Sequence, residues 1–163
     1  MKKTLMTALV ICMGCIMTQA QKNNVGAGIA YGSEVENMGL GVNAEFSILP
    51  NLTISPSFIY FFPEKNPYVT LNLWEINGNV NYYFLNNDKM GVYGLGGLNY
   101  THASAKSDFL GYSNTAKSGE VGLNLGGGFK YHLNESWSPA AELKYVIGDY
   151  DQLVMMVGMK YNF

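Results

Sequence analysis

Hydropathy in this chain repeats every second residue, almost from end to end. The last stretch shows it best: Leu153, Met155, Val157, Met159, Tyr161 and Phe163 alternate with Gln152, Val154, Met156, Gly158, Lys160 and Asn162. A period of two sends successive side chains to opposite faces of a β-strand and does not fit the 3.6-residue period of an amphipathic helix. Leu40, Val42, Ala44, Phe46 and Ile48 oppose Gly41, Asn43, Glu45 and Ser47 in the same way. So do Val121, Leu123, Leu125, Phe129, Tyr131 and Leu133 within 120–133, and Trp137, Pro139, Ala141, Leu143, Tyr145 and Ile147 within 137–147. Weaker alternation covers 24–33, 52–62, 74–84 and 90–103, which brings the total to eight strands. Upstream of Trp74, the residues Val69, Leu71 and Leu73 fall one place out of phase, which predicts a β-bulge near Leu73. The glycine-rich 90–103 leaves its own register open.

The connections come in two kinds. Leu49-Pro50-Asn51, Asn86-Asn87-Asp88 and Asn134-Glu135-Ser136 are tight turns of residues that tolerate turn geometry. Between them lie 34–37, 63–68, 104–117 and 148–151, the third being much the longest. Short turns on one rim and longer loops on the other are the organisation of an up-and-down barrel in an outer membrane.

Alternation alone does not say which face points inward. Composition does: only 13% of the 163 residues are charged, about half the share in a typical soluble domain. A soluble barrel binding an apolar ligand in the periplasm is the alternative, but its outside would need abundant charge. The polar faces are instead mostly Gly, Asn and Ser, with Glu45, Glu75, Glu120, Glu142, Lys130, Lys144 and Lys160 as their few charges. Those seven are expected to form an ionic network in a narrow lumen, because buried charges persist only when paired. On that expectation, Lys130→Ala would strand a buried carboxylate. Aromatic residues agree with lipid outside: Phe84, Tyr131, Trp137, Tyr161 and Phe163 sit beside the short turns, while Tyr31, Tyr60, Phe62 and Trp74 sit beside the longer loops. Two such belts match the headgroup zones of a bilayer.

The first twenty residues have the organisation of a secretory signal: Lys2 and Lys3, an apolar run from Leu5 to Met17, then Thr18-Gln19-Ala20. Cleavage between Ala20 and Gln21 is expected, with residues 21–163 as a single barrel domain. A short core helix and a lipoprotein anchored through Cys15 are the other readings of this segment. Both cysteines, Cys12 and Cys15, lie in it, so the remainder has no disulfide and no thiol nucleophile. Every basic residue is a lysine, and removing Lys2 and Lys3 leaves eight lysines against twelve acids. Such an acidic chain is poor material for gripping nucleic acid.

The leader, the alternating strands, the Asn/Pro turns and the terminal Met159-Lys160-Tyr161-Asn162-Phe163 together resemble the small outer-membrane β-barrel family of Gram-negative bacteria, closest to OmpX-type barrels and the OmpA transmembrane domain. The resemblance covers the whole chain after the leader. It implies an all-β, eight-stranded antiparallel up-and-down transmembrane β-barrel with periplasmic termini, in contact with outer-membrane lipid and lipopolysaccharide. It also implies that Val157, Met159, Tyr161 and Phe163 are the signal read by the barrel-assembly machinery. The sequence ends at the barrel, so no peptidoglycan-anchoring domain is expected of it.

Few motifs carry chemistry. Gly94-Leu95-Gly96-Gly97 and Gly126-Gly127-Gly128 precede no helical pattern, which a phosphate-binding loop needs; they are expected where side chains crowd the lumen. His132 lies on the polar face, and no metal site or cofactor is expected. His102 and Ser104 share a face and are similar to the His-x-Ser element of outer-membrane lipid A deacylases, with Glu120 on the next strand as a notional third member. Against that, Lys106 and Ser107 stand where those enzymes continue Asn-Ala after the serine, and alternation puts Glu120 on the lumen side. Phe109, Leu110 and Tyr112 lie in the longest loop and form a candidate contact for an extracellular partner. The expectation is a non-enzymatic barrel with a side-chain-plugged lumen and a structural or surface-interaction role. A deacylase using His102 and Ser104 is the alternative.

Overall fold

The computed structural model describes residues 23–65, 69–109, 112–149 and 151–163; the leader, with Ala20 and Gln21, lies outside them. Eight strands follow in chain order: β1 (Asn24–Gly32), β2 (Asn37–Leu49), β3 (Leu52–Lys65), β4 (Val69–Asn86), β5 (Met90–Phe109), β6 (Tyr112–Tyr131), β7 (Trp137–Ile147) and β8 (Gln152–Asn162). Each pairs antiparallel with its chain neighbours, and β1 closes the ring on β8, with Val25 opposite Tyr161 and Ile29 opposite Val157. Closure leaves no strand edge with unpaired backbone groups, the condition for a sheet to sit in hydrocarbon. Two of the three predicted tight turns are held by their asparagines. The Asn87 side-chain oxygen accepts from the amides of Lys89 (3.0 Å) and Met90 (2.9 Å), and that of Asn134 from Ser136 (3.0 Å) and Trp137 (2.8 Å). These turns, Asn23 and Phe163 share one rim, the turn end; the opposite rim is the loop end.

The apolar set faces outward all round. Leu40, Leu98, Val121 and Leu125 are 56%, 60%, 70% and 57% exposed, while Glu45, Glu75, Asn77 and Asn124 on the opposite face are buried. That arrangement overturns the soluble barrel with an apolar interior. Two rings of aromatics bound the apolar band as expected. Phe84, Tyr131, Trp137, Tyr161 and Phe163 lie at the turn end, and Tyr31, Tyr60, Phe62, Trp74 and Tyr100 toward the loop end. Trp74 and Phe84 are about ten residues apart along β4, the length of a strand that crosses a bilayer.

Three expectations change. The stretch 104–117 is not a loop, because β5 and β6 stay paired from His102 opposite Gly119 out to Phe109 opposite Tyr112. Likewise β3 reaches Lys65 and β4 starts at Val69, taking up most of 63–68. No bulge interrupts β4 at Leu73; the register shift lies across from it, on β3 between Phe61 and Glu64. Leu73 therefore shares the inward face with Glu75. Finally, the register of β5 puts Tyr93, Leu95, Asn99 and Thr101 inside and leaves Gly94 and Gly96 on the outer face, so only some strand glycines line the lumen. Gly128 is one that does: a Cβ there would collide with the Tyr93 ring, which spreads over it from the neighbouring strand.

The apparent phase error at Leu73 has a physical cause. Below the upper aromatic ring the outer face meets lipid and the inner face is polar. Beyond it the outer face carries Asn72, Ser104, Lys106, Thr115 and Lys117, and the inner face Leu71, Leu73, Ala103, Ala105 and Ala116. The backbone keeps its pleat while its two environments exchange. Leu73 and Ala103 join Ala30, Val35, Ile59, Phe61, Val146 and Val154 in an apolar cluster inside the barrel at the loop end. Since β4, β5 and β6 have 18, 20 and 20 residues against 9, 11 and 11 in β1, β7 and β8, one side of the barrel rises as a wall above the other.

Candidate functional site

Two places concentrate polar chemistry: the lumen, and the outer face of the wall just past the upper aromatic ring. In the lumen the charges assemble in tiers. Nearer the turn end, the Glu45 carboxylate accepts from Lys160 Nζ (3.0 Å), Asn24 Nδ2 (3.0 Å), Thr53 Oγ1 (2.8 Å) and the Tyr83 hydroxyl. Midway, Glu75 pairs with Lys144 Nζ (2.8 Å) and accepts from the side-chain amide of Gln152. Asn77 Oδ1 is a hub that accepts from Lys144 Nζ (2.6 Å), Asn99 Nδ2 (2.8 Å) and Asn124 Nδ2 (2.9 Å). These groups are buried, so each ion pair survives only because hydrogen bonds replace the water each charge gave up.

The expected network is thus partly assembled. Glu45, Glu75, Lys144 and Lys160 form two ion pairs. Glu142 instead accepts from the Tyr93 hydroxyl at 2.8 Å, and Glu120 from Ser118 Oγ at 3.1 Å. Lys130 departs most from expectation: although buried, it has no carboxylate within 4 Å among the described residues. Its Nζ sits 4.5 Å from the Tyr83 ring centroid, a cation–π contact. Removing Lys130 therefore does not strip a carboxylate of its ion-pair partner; Lys144 and Lys160 hold that role. His132 Nδ1 lies 2.8 Å from Ser138 Oγ, a lumen residue as expected. Among the described residues no group of three His, Cys, Asp or Glu could hold a metal ion.

Tyr93 escaped sequence reasoning because its strand had no legible register, yet its ring packs 5.0 Å from that of Tyr83 and fills the lumen over Gly128. The polar tiers separate a vestibule of about 610 Å³ at the turn end, lined by Glu45, Thr53, Lys130 and Asn162, from a mainly apolar hollow of about 260 Å³ at the loop end, lined by Val35, Leu71, Leu73 and Ala103 together with Glu34, Lys117 and Ser118. Asn79, Asn99 and Thr101 are at most 2% exposed between them. Eight strands leave an interior only wide enough for such side chains.

On the outer face, His102 does not assemble a catalytic centre. Its ring packs against Trp74 (centroids 5.0 Å apart), within a row that continues to Tyr100 and Phe58. Ser104 is on the same face, but Glu120 points into the lumen, hydrogen-bonded by Ser118, on the other side of the wall from the imidazole. Phe109 and Tyr112 are the last paired positions of the β5–β6 hairpin, and Leu110 lies outside the described residues.

An apolar exterior between two aromatic rings, around a polar and ion-paired interior, defines a transmembrane β-barrel. The outer membrane protein beta-barrel domain model matches residues 14–163, and the chain belongs to that family. Its place is accordingly the outer membrane, against lipid. No curated protein matches the sequence. Among solved structures, it is similar to Ail, the attachment invasion locus protein of Yersinia pestis, in complex with the heparin analogue sucrose octasulfate. The two share 18% identity over 87% of this chain and 97% of that one, with a TM-score of 0.62. The outer membrane protein OprG of Pseudomonas aeruginosa gives 16% identity, 89% and 97% coverage and a TM-score of 0.66. A major outer membrane protein of Thermus thermophilus gives 14% identity, 89% and 100% coverage and a TM-score of 0.72. At these identities the likeness concerns the fold.

Proposed function

We propose that this protein is a non-catalytic outer-membrane barrel with a closed lumen, which acts at the cell surface through the wall raised by β3 to β6. The observation that carries this reading is the length of β5 and β6. Each runs about ten residues beyond what crossing a bilayer needs, and the excess is a paired hairpin rather than slack loop. In a barrel whose interior is occupied by the Glu45 and Glu75 tiers, this hairpin is the part built to meet something. Residues 1–20 are its leader, cleaved after Ala20, and residues 21–163 the mature barrel. Both chain ends face the periplasm, the loop end faces outward, and Val157, Met159, Tyr161 and Phe163 serve the barrel-assembly machinery. Phe109 and Tyr112, the last paired positions of the hairpin, together with Leu110 are the contact for an extracellular partner.

The test is a hairpin replacement, joining Ala105 to Ala116 through an Asn-Gly turn. The shortened barrel should keep its heat-modifiable migration and lose attachment of the cells to surfaces. Unchanged attachment would remove the surface role. Thiol labelling of intact cells carrying Thr115→Cys should succeed, and that of Asn87→Cys fail; the reverse pattern would invert the orientation. Planar-bilayer recordings should show no open-pore conductance, and a steady large conductance would refute the closed lumen. An altered lipid A mass profile on overexpression, abolished by Ser104→Ala, would restore the deacylase.

A further inference from the structure

The exchange of environments along β4, β5 and β6 locates the membrane boundary at the row Tyr60, Trp74, His102 and Gly119. The next outward row is Asn72, Ser104 and Lys117, and the one after it Lys65, Thr70, Lys106 and Thr115. Lys106 and Lys117 are therefore diagonal neighbours, about 7 Å apart at the backbone, and both are exposed. Ser104 lies directly across from Lys117. Gly119 leaves a notch in the surface into which Tyr100 reaches, its hydroxyl occupying the space a Cβ would need. His102, Tyr100 and Ser104 thus place side-chain donors directly below two ammonium groups. The next acidic position along β5, Asp108, pairs with Ser113 a further step toward the hairpin tip.

We propose that this face binds the phosphate of an outer-leaflet lipid headgroup, with Lys106 and Lys117 clasping the phosphate and Tyr100, His102 and Ser104 donating to its oxygens or to the adjoining sugar. The position selects the occupant. The lysines and Ser104 lie two to four residues above an aromatic ring that itself lies at headgroup depth. The acyl chains of a lipid seated there would run down over Leu98, Val121 and Leu123, which are 60%, 70% and 55% exposed. Basic residues near a membrane surface attract anionic headgroups, and here two of them share one small face of a chain that otherwise carries more acid than base. The proposal rests on the loop end facing outward.

Purified full-length protein in neutral detergent, titrated with diphosphoryl lipid A and followed by native mass spectrometry, tests it. One lipid should be retained, and Lys106→Gln with Lys117→Gln should weaken retention about 10- to 30-fold. Lys89→Gln, at the opposite rim, should leave it unchanged. Dephosphorylated lipid A should bind wild type as weakly as the diphosphoryl lipid binds the double variant, and inorganic phosphate alone should not compete. A double variant that retains lipid within twofold of wild type, or an equal loss in Lys89→Gln, would overturn the site. Competition by inorganic phosphate would show a simple anion site instead. Because binding in detergent does not depend on orientation in the cell, failure here is distinct from failure of the Thr115→Cys labelling.

Discussion

Lys144→Met is the substitution whose cost follows most directly from the lumen geometry. Lys144 and Glu75 are 3% and 0% exposed and their charged atoms are 2.8 Å apart. Methionine keeps most of the lysine stem, so packing changes little and the charge is what goes. Asn77 Oδ1 loses one donor but keeps Asn99 and Asn124. Glu75 keeps Gln152 and a long contact to Asn77 Nδ2 at 3.5 Å. The damage therefore falls on one buried carboxylate without a counter-charge, a change that costs about 3–5 kcal/mol. The expected loss is therefore about 3–5 kcal/mol.

The assay is urea unfolding in phospholipid vesicles, followed by tryptophan emission and by migration on unboiled gels. Adding Glu75→Gln should recover at least half of the loss, because the stranded charge is then gone. A Lys144→Met deficit below about 1 kcal/mol, the range of exposed pairs, would show that water reaches Glu75. Strict additivity of the two substitutions would show that they do not interact.

Three further outcomes follow from the same structure. Lys130→Met should cost only about 1–2 kcal/mol, the scale of a partly desolvated cation–π contact, and a urea-unfolding loss as large as that of Lys144→Met would place a carboxylate against it after all. Leu125→Arg, midway along the membrane-crossing part of β6 and 57% exposed, should lower stability in vesicles by about 2–4 kcal/mol; a neutral result would remove lipid from that face. Gly128→Ala should destabilise by about 1–3 kcal/mol through overpacking against Tyr93. Combining it with Tyr93→Leu should be less costly than the sum, and a fully additive double variant would contradict the contact.

Strand number, turn positions, outward orientation and the aromatic rings were legible because each depends on one residue's own chemistry repeated in register. Asn87 and Asn134 make turns through their own side chains, and Leu123 or Tyr131 reports its face by alternation alone. The four inward glutamates and three inward lysines were legible for the same reason, since parity assigns a face to every residue of a strand. Pairing was not, because which lysine meets which carboxylate depends on barrel closure. Glu75 on β4 reaches Lys144 on β7, 69 residues away in sequence. Nothing local distinguishes that lysine from Lys130, which ends over an aromatic ring. Tyr93 was hidden by Gly91, Gly94, Gly96 and Gly97, whose missing side chains erase the alternation that would have fixed its face.

The misread bulge at Leu73 carries a more general point. A change of hydropathic phase along a strand has two physical origins: an extra residue that turns the side chains over, or an unaltered pleat whose surroundings exchange sides. They differ in what the neighbouring strands do. An inserted residue shifts one strand alone, whereas a boundary between lipid and water must be crossed at the same height by every strand that passes it. Here the exchange occurs in β4 at Leu73 and in β5 at Ala103, which are directly paired, and in β6 one step further, where Lys117 faces out and Ala116 faces in. Three strands changing phase within one step of the same row is what a membrane surface imposes. It places Trp74 and His102 at the boundary and Lys106 and Lys117 above it, so the row that sets the height of the barrel in the bilayer also positions the proposed phosphate site.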